Sequence, residues 1–279
     1  SPMPLIGREQ EMADLLARLR DPDCRLLTLL GPGGSGKTRL AQEIAARLSS
    51  PAEDVSDPER DAAQWQVAWI PCAPVHSAIG FVPAIAHGLD FYFAHAGDPQ
   101  QQLLNYLRSK RLLLVLDNFE HLLTPPSDAA AVVQAILATA PAVKLLVTSR
   151  TRLNLQSEHL YPLGGLRMPA PEAAPSTDEA RARACGAIQL FLWNMRQVQA
   201  ATSCSADDLV HIVRICRFVQ GMPLAILLAT SWTRMLFPAE IAAQLMGENS
   251  GALDFLTTDW VDFPARQRSM RAVFDHSWQ

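Results

Sequence analysis

No run of apolar residues in the 279-residue sequence approaches the roughly 20 needed to cross a bilayer, so no membrane partner is expected. The first residues, SPMPLIGRE, lack the basic segment and apolar stretch of a secretory signal. The five cysteines (Cys24, Cys72, Cys185, Cys204, Cys216) form no CxxC pair, which argues against both a zinc site and a disulfide framework. Buried free thiols in a reducing cytoplasm are the expectation. The histidines His76, His87, His95, His159 and His211 show no ligand spacing and read as structural or surface residues. Nor is there an excess of either charge. The net charge of −4 gives no whole-chain electrostatic reason for a nucleic-acid partner. No internal repeat or low-complexity tract is present. What remains is an ordinary globular balance, 49% hydrophobic and 19% charged, in a chain long enough for one large or two medium domains.

From residue 8 to about 163, apolar strands alternate with amphipathic helices. REQEMADLLARLR places Met12, Leu15, Leu16 and Leu19 on one helical face. RLLTLL is a short strand, TRLAQEIAARL a helix, and SSPAEDVSDPERDAAQ an acidic exposed loop. QVAWIPC reads as the next strand, followed by helical stretches near 76–89 and 98–109. RLLLVLD and AVKLLVTSR are continuous apolar runs suited to buried parallel strands. Between them SDAAAVVQAILATA is a helix, capped by Ser127 or Asp128, and EHLYPLGGL closes the series as an edge strand. This order predicts an α/β domain at 1–166 with a parallel sheet and helices on both faces. Pro and small residues at 167–177 signal a linker. From 178 to 250 the periodicity is purely helical, with Asp207 and Asp208 suited to a helix start. The tail, 251–279, carries no stop signal, and the chain is expected to be cut from something longer.

Gly31, Gly36, Lys37 and Thr38 satisfy G-x-x-x-x-G-K-[ST] between a strand and a helix. Pro32 belongs to the same nucleotide-binding loop, in which Gly33, Gly34, Ser35 and Gly36 turn backbone N–H groups toward phosphate oxygens. Lys37 reaches the β and γ oxygens, and Thr38 ligates Mg²⁺. Asp117, at the carboxyl end of RLLLVLD, can hold the same Mg²⁺ or merely cap the next turn. Asn118 follows where many hydrolases place a second carboxylate, and an amide takes no proton from water at neutral pH. Glu120 and His121 are the nearby candidates for a base, or else solvated helix-start residues. Arg150, after the strand LLVTS, either senses a γ-phosphate or is solvated at the strand end. Gly221 and Pro223 read as punctuation between two helices. The apolar stripe Ile188, Leu190, Phe191, Leu192 and Trp193 reads as bundle core.

The ordered motifs IGRE, GPGGSGKTRLA, LLLVLDNFEHLL, LLVTSR, GMPLAILLA and ARQRSMRAVFDHSW resemble the STAND class of P-loop ATPases. They are most similar to bacterial LuxR-type large ATP-binding and Streptomyces antibiotic-regulator proteins, relatives of the NB-ARC modules. The resemblance implies that Ile6, Gly7 and Arg8 contact adenine and that Arg39 extends the Lys37–Thr38 pair. It makes Asp117 the Mg²⁺ acid and Arg150 the sensor arginine. Gly221 to Leu224 match GLPL, with Met222 replacing Leu and Pro223 packing on the base from the helical domain. It assigns 178–250 to that helical domain and 251–279 to the entry of a winged helix. His276 is in the wrong context to replace the histidine that holds the ADP β-phosphate in NB-ARC relatives.

By this resemblance the chain is a switch, closed on ADP between two domains and released by ATP for self-association. Slow ATP hydrolysis serves as reset, and effector and repeat sensor domains lie elsewhere in a longer cytoplasmic protein. Two other classes compete. A P-loop kinase or transferase needs an acceptor lid, for which 178–247 is too core-like. A DNA-directed motor needs a basic channel and an acid at position 118.

Overall fold

The computed structural model describes residues 4–50, 65–75, 77–124, 129–169, 179–198, 204–247, 256–257 and 269–270. The chain forms two compact units. One comprises Ser1–Gln10, Pro32–Gly36 and Leu163–Gln279, the other Glu11–Gly31 and Lys37–Pro162.

The second of these is built on five parallel strands. They are β1 (Leu26–Leu30), β2 (Gln66–Pro71), β3 (Leu112–Asp117), β4 (Val143–Ser149) and β5 (Glu158–Pro162), in the spatial order β2-β3-β4-β1-β5. Every residue of β3 and β4 is buried, as their unbroken apolar sequences require, whereas the edge strand β5 is largely exposed. Among the described residues, five helices accompany the sheet: α1 (Glu9–Arg20), α2 (Lys37–Ser49), α3 (Ala78–Gly88), α4 (Pro99–Leu107) and α5 (Ala129–Thr139).

Strand order and chirality place the helices on both faces. The chain jumps from β1 across to β2 and then steps back through β3 to β4. With right-handed crossovers, α2 therefore lies on one face and α3 to α5 on the other. Burial agrees. Leu112, Leu114 and Leu116 share a core with Phe81, Ile85, Leu103, Leu107, Val133 and Ile136. Their alternate neighbours Leu113 and Val115 are also buried, and alternate residues of a strand face opposite ways. Local chemistry fixes the helix starts: Asp98 accepts from the Gln101 N–H at 3.0 Å, and Pro99 opens α4.

The described residues of the other unit form the helices α6 (Glu179–Arg183), α7 (Gly186–Val198), α8 (Ala206–Phe218), α9 (Pro223–Ser231) and α10 (Pro238–Met246). Here α7 packs on α9 and α8 on α10 around Ile188, Phe191, Ile212, Val213, Ile226 and Ile241. Asp208 does sit in the first turn of α8, where it closes a capping box with Ser205. The turn after α8 is more compressed than punctuation by Gly221 alone. Val219 caps the helix, and Gln220 and Gly221 both take left-handed backbone (φ 53° and 66°). Glycine is needed at 221, because an added Cβ would lie 2.4 Å from the Leu166 carbonyl oxygen.

In the tail, Thr257 pairs antiparallel with Ser269. The rest of the expected winged-helix entry, with His276, lies outside the described residues. So do His76, the Ser127/Asp128 cap, the acidic loop from 51 to 64 and the linker from 170 to 177.

Candidate functional site

The carboxyl ends of the central strands collect the ionisable groups. Lys37, the first residue of α2, is 7% exposed, and its ammonium donates to the Gly31 carbonyl at 2.7 Å. Burial drives its pKa down to about 8; the Arg150 charge adds to that, while Glu120 and Asp117 oppose it. A buried ammonium so poorly compensated is poised to take an anion.

Asp117 ends β3 almost fully buried. Its Oδ1 accepts from the Thr38 hydroxyl at 2.7 Å and from the Thr148 hydroxyl at 2.6 Å. These bonds tie Asp117 to the start of α2 and to β4. Thr148 in turn accepts the Asn118 N–H at 2.9 Å. Asn118 stands at φ 62°, a left-handed conformation that Asn tolerates better than most side chains.

Glu120 begins a short 3₁₀ turn, Glu120–Leu123, and its Oε1 pairs with Arg150 Nε at 3.1 Å. The other oxygen, Oε2, is buried and has no hydrogen-bond partner among the described residues. His121 points elsewhere, its Nε2–H donating to the Val75 carbonyl at 2.7 Å. Of the two candidate bases, only Glu120 therefore faces the Lys37 charge, and it is already engaged by Arg150.

Within the helical unit, the loop residues Pro32–Gly36 meet the start of α9. The Leu224 N–H donates to the Gly34 carbonyl at 3.2 Å, and a Cβ on Gly34 would stand 3.0 Å from the Leu224 Cβ. Gly34 and Gly36 adopt φ 81° and 91°, backbone that the loop's glycines supply. A Cβ on Gly36 would reach Pro223 Cγ at 3.9 Å. The Arg8 guanidinium, 5% exposed, donates to the carbonyls of Ser35 (3.1 Å) and Gly164, joining three distant segments. Ile6 packs against the helical core. Gly7, at φ 67°, faces Gly186, where an added Cβ would come within 2.5 Å of the Gly186 Cα. Arg39 pairs along α2 with Glu43 at 3.4 Å.

These residues fit a nucleotide phosphate and a divalent cation. Besides the Lys37 ammonium, the Ser35 hydroxyl is buried with no hydrogen-bond partner among the described residues, an orphan that a phosphate oxygen would satisfy. Thr38 and Asp117 offer a hydroxyl and a carboxylate, the hard oxygen donors that Mg²⁺ takes. Thr148, Gly164 and Gly186 are not singled out by the sequence. Thr148 was within reach, as it lies in the LLVTSR motif that drew attention to Arg150. The glycines act through backbone proximity and leave no sequence signal.

The AAA ATPase domain model matches residues 4–197. The chain is 31% identical over 240 residues to an uncharacterized protein of Mycobacterium tuberculosis (strain ATCC 25618 / H37Rv), covering 86% of this chain and 53% of the relative. It is 30% identical over 260 residues to a protein of the same organism named as a candidate HTH-type transcriptional regulator, covering 91% and 25%. The chain thus spans about half the length of the first relative and a quarter of the second. Among solved structures, Cdc6p of Pyrobaculum aerophilum aligns at TM-score 0.51 and 17% identity over 87% of this chain and 63% of that one. A STAND protein with a tetratricopeptide repeat sensor from Pyrococcus horikoshii aligns at 0.44 and 15%, over 89% and 34%. The likeness to Cdc6p is one of fold: a parallel five-stranded sheet with helices, of the P-loop NTPase type.

Proposed function

The chain belongs to the AAA ATPase domain family, and we propose that within that family it is a nucleotide-dependent switch. ADP or ATP is held with Mg²⁺ by the loop Pro32–Thr38. Lys37 meets the β and γ oxygens, Thr38 and Asp117 hold the cation, and Ile6, Arg8, Arg39, Pro223 and Leu224 complete the nucleotide's surroundings. When bound, Mg²⁺ neutralises phosphate charge. Arg150 senses the γ-phosphate, and Glu120 is the group available to orient water. Hydrolysis is slow, because position 118 is an amide and Glu120 is engaged by Arg150.

One observation carries this reading. The turn of the phosphate loop packs with the Met222–Leu224 helix start as part of the helical unit, whereas Lys37 and Thr38 begin a helix of the sheet unit. The residues of the phosphate-loop motif are thus divided along the chain between the two units. Nucleotide exchange can bias their arrangement by as much as it binds one arrangement better than another.

The proposed partition is a nucleotide-binding domain at 1–166, a linker at 167–177, a helical domain at 178–250 and a winged-helix entry at 251–279. The chain covers only part of relatives that include a candidate transcriptional regulator. This supports a place within a larger cytoplasmic regulator carrying effector and sensor domains, with self-association in the ATP state. Among the described residues no helix is long and apolar enough to cross a membrane.

Hydrogen exchange followed by mass spectrometry tests the switch. Adding ADP should protect residues 223–231 and 6–8 together with 37–49, and ATP should give a different pattern in 223–231. Protection confined to 11–31 and 37–162 with either nucleotide would contradict it.

A further inference from the structure

The amino-terminal ends of the strands, opposite the groups described above, hold a second cluster of charge. Arg25 precedes β1, Trp65 precedes β2, Arg111 precedes β3 and Lys144 lies at the start of β4. With Arg20 and Pro22 at the end of α1, and Pro141 and Ala142 before β4, they line a cavity of 220 Å³. The length of β1, at 3.3 Å per residue, puts this cavity roughly 16 Å from the phosphate-loop end of the sheet.

Among the described residues, four cations and no carboxylate line the cavity. Trp65 serves as their platform: the Arg111 guanidinium lies 5.4 Å and the Lys144 ammonium 5.9 Å from its ring centroid. The Arg25 guanidinium is braced on the carbonyls of Leu137 (2.8 Å) and Ala140 (2.6 Å), yet its Nε–H is buried without an acceptor among the described residues. Lys144 is 7% exposed and donates to the Asp21 carbonyl. Burial drives its pKa down, and the Arg25 and Arg111 charges add to that against Cys24 and Asp21. The Asp21 charge acts on Lys144, and its carboxylate accepts the Asp23 N–H at 3.0 Å. Cations held this close by carbonyls and an aromatic face repel one another, and the cluster is stabilised by a compact anion.

We propose that this cavity is a second ligand site, which takes a compact phosphorylated anion such as a diphosphate group. Phosphate suits it better than carboxylate. A phosphate monoester concentrates about −1.5 to −2 of charge on three oxygens, and guanidiniums bind it by paired hydrogen bonds. The site lies at the amino-terminal end of the strands and is independent of the nucleotide reading, so either can fail without the other.

Calorimetric titration with inorganic diphosphate tests it in a Lys37→Met background, which silences the phosphate loop. One binding event should remain. Adding Arg20→Gln and Arg111→Gln, both exposed positions whose loss leaves the core intact, should weaken that event at least tenfold, with an unchanged melting midpoint confirming the fold. Citrate should bind more weakly than diphosphate. No binding in the Lys37→Met background, equal affinity in the triple variant, or citrate binding as tightly as diphosphate would each overturn the proposal.

Discussion

Lys37→Met is expected to make the nucleotide-free protein more stable at pH 7 while abolishing stabilisation by nucleotide. The folded-state pKa of Lys37 is about 8 against an ordinary 10.5, so keeping this ammonium charged inside the protein opposes folding by about 3 kcal/mol. The direction with pH follows from proton counting. Between about 8 and 10.5 the unfolded chain holds more protons than the folded one, so the contribution of Lys37 to stability increases as pH rises through that window. Other groups contribute in that window too: the Cys72 thiol ionises there only in the unfolded chain, because burial first and then Asp117 and Glu120 push it up to about 12 in the folded protein. The difference between parent and Lys37→Met isolates the lysine. Denaturant melts should show the variant ahead by about 1–3 kcal/mol at pH 7 and the two converging toward pH 10.5. With ADP at a hundredfold its Kd the parent should gain about 2.7 kcal/mol and the variant almost nothing. A variant that is destabilised without nucleotide and still stabilised by it would contradict the placement of Lys37.

Asp117 separates charge from architecture. Asp117→Ala leaves the Thr38 and Thr148 hydroxyls without their acceptor, each worth about 1–3 kcal/mol when buried. Asp117→Asn keeps an oxygen that can accept from both, so its stability should stay within about 1 kcal/mol of the parent. It removes the negative charge that pairs with a divalent cation. Mg²⁺-dependent ATP turnover should therefore fall on the order of 100-fold or more, while ADP binding in EDTA changes only a few-fold. Phosphate release, with and without Mg²⁺, separates these effects. Unchanged turnover in Asp117→Asn would remove Asp117 from the cation site.

Local pattern made the sheet and the phosphate loop legible. The buried strands β3 and β4 are unbroken apolar runs, and the loop needs its glycines at fixed spacing, so both are written in consecutive residues. Groups brought together by topology were not legible as groups. Glu120 and Arg150 were separate candidates, and only the adjacency of β3 and β4 pairs them. The same adjacency recruits Thr148 to Asp117. The resemblance implies an Arg8 at the adenine; its hydrogen bonds to the Ser35 and Gly164 carbonyls, 27 and 156 residues away, leave no sequence signal. Gly7 with Gly186, and Gly221 with Leu166, are close backbone approaches that pattern does not reveal. The basic cavity was hidden twice, by a net charge of −4 and by the spread of its residues from 20 to 144.

The central claim is a nucleotide retained and slowly consumed, and one measurement addresses it directly. The purified protein is extracted with acid, its nucleotide identified by chromatography, and ATP turnover followed on the same preparation. The account predicts near-stoichiometric ADP and a turnover well below the common enzymatic value of about 10 per second. An empty site with rapid turnover would contradict it.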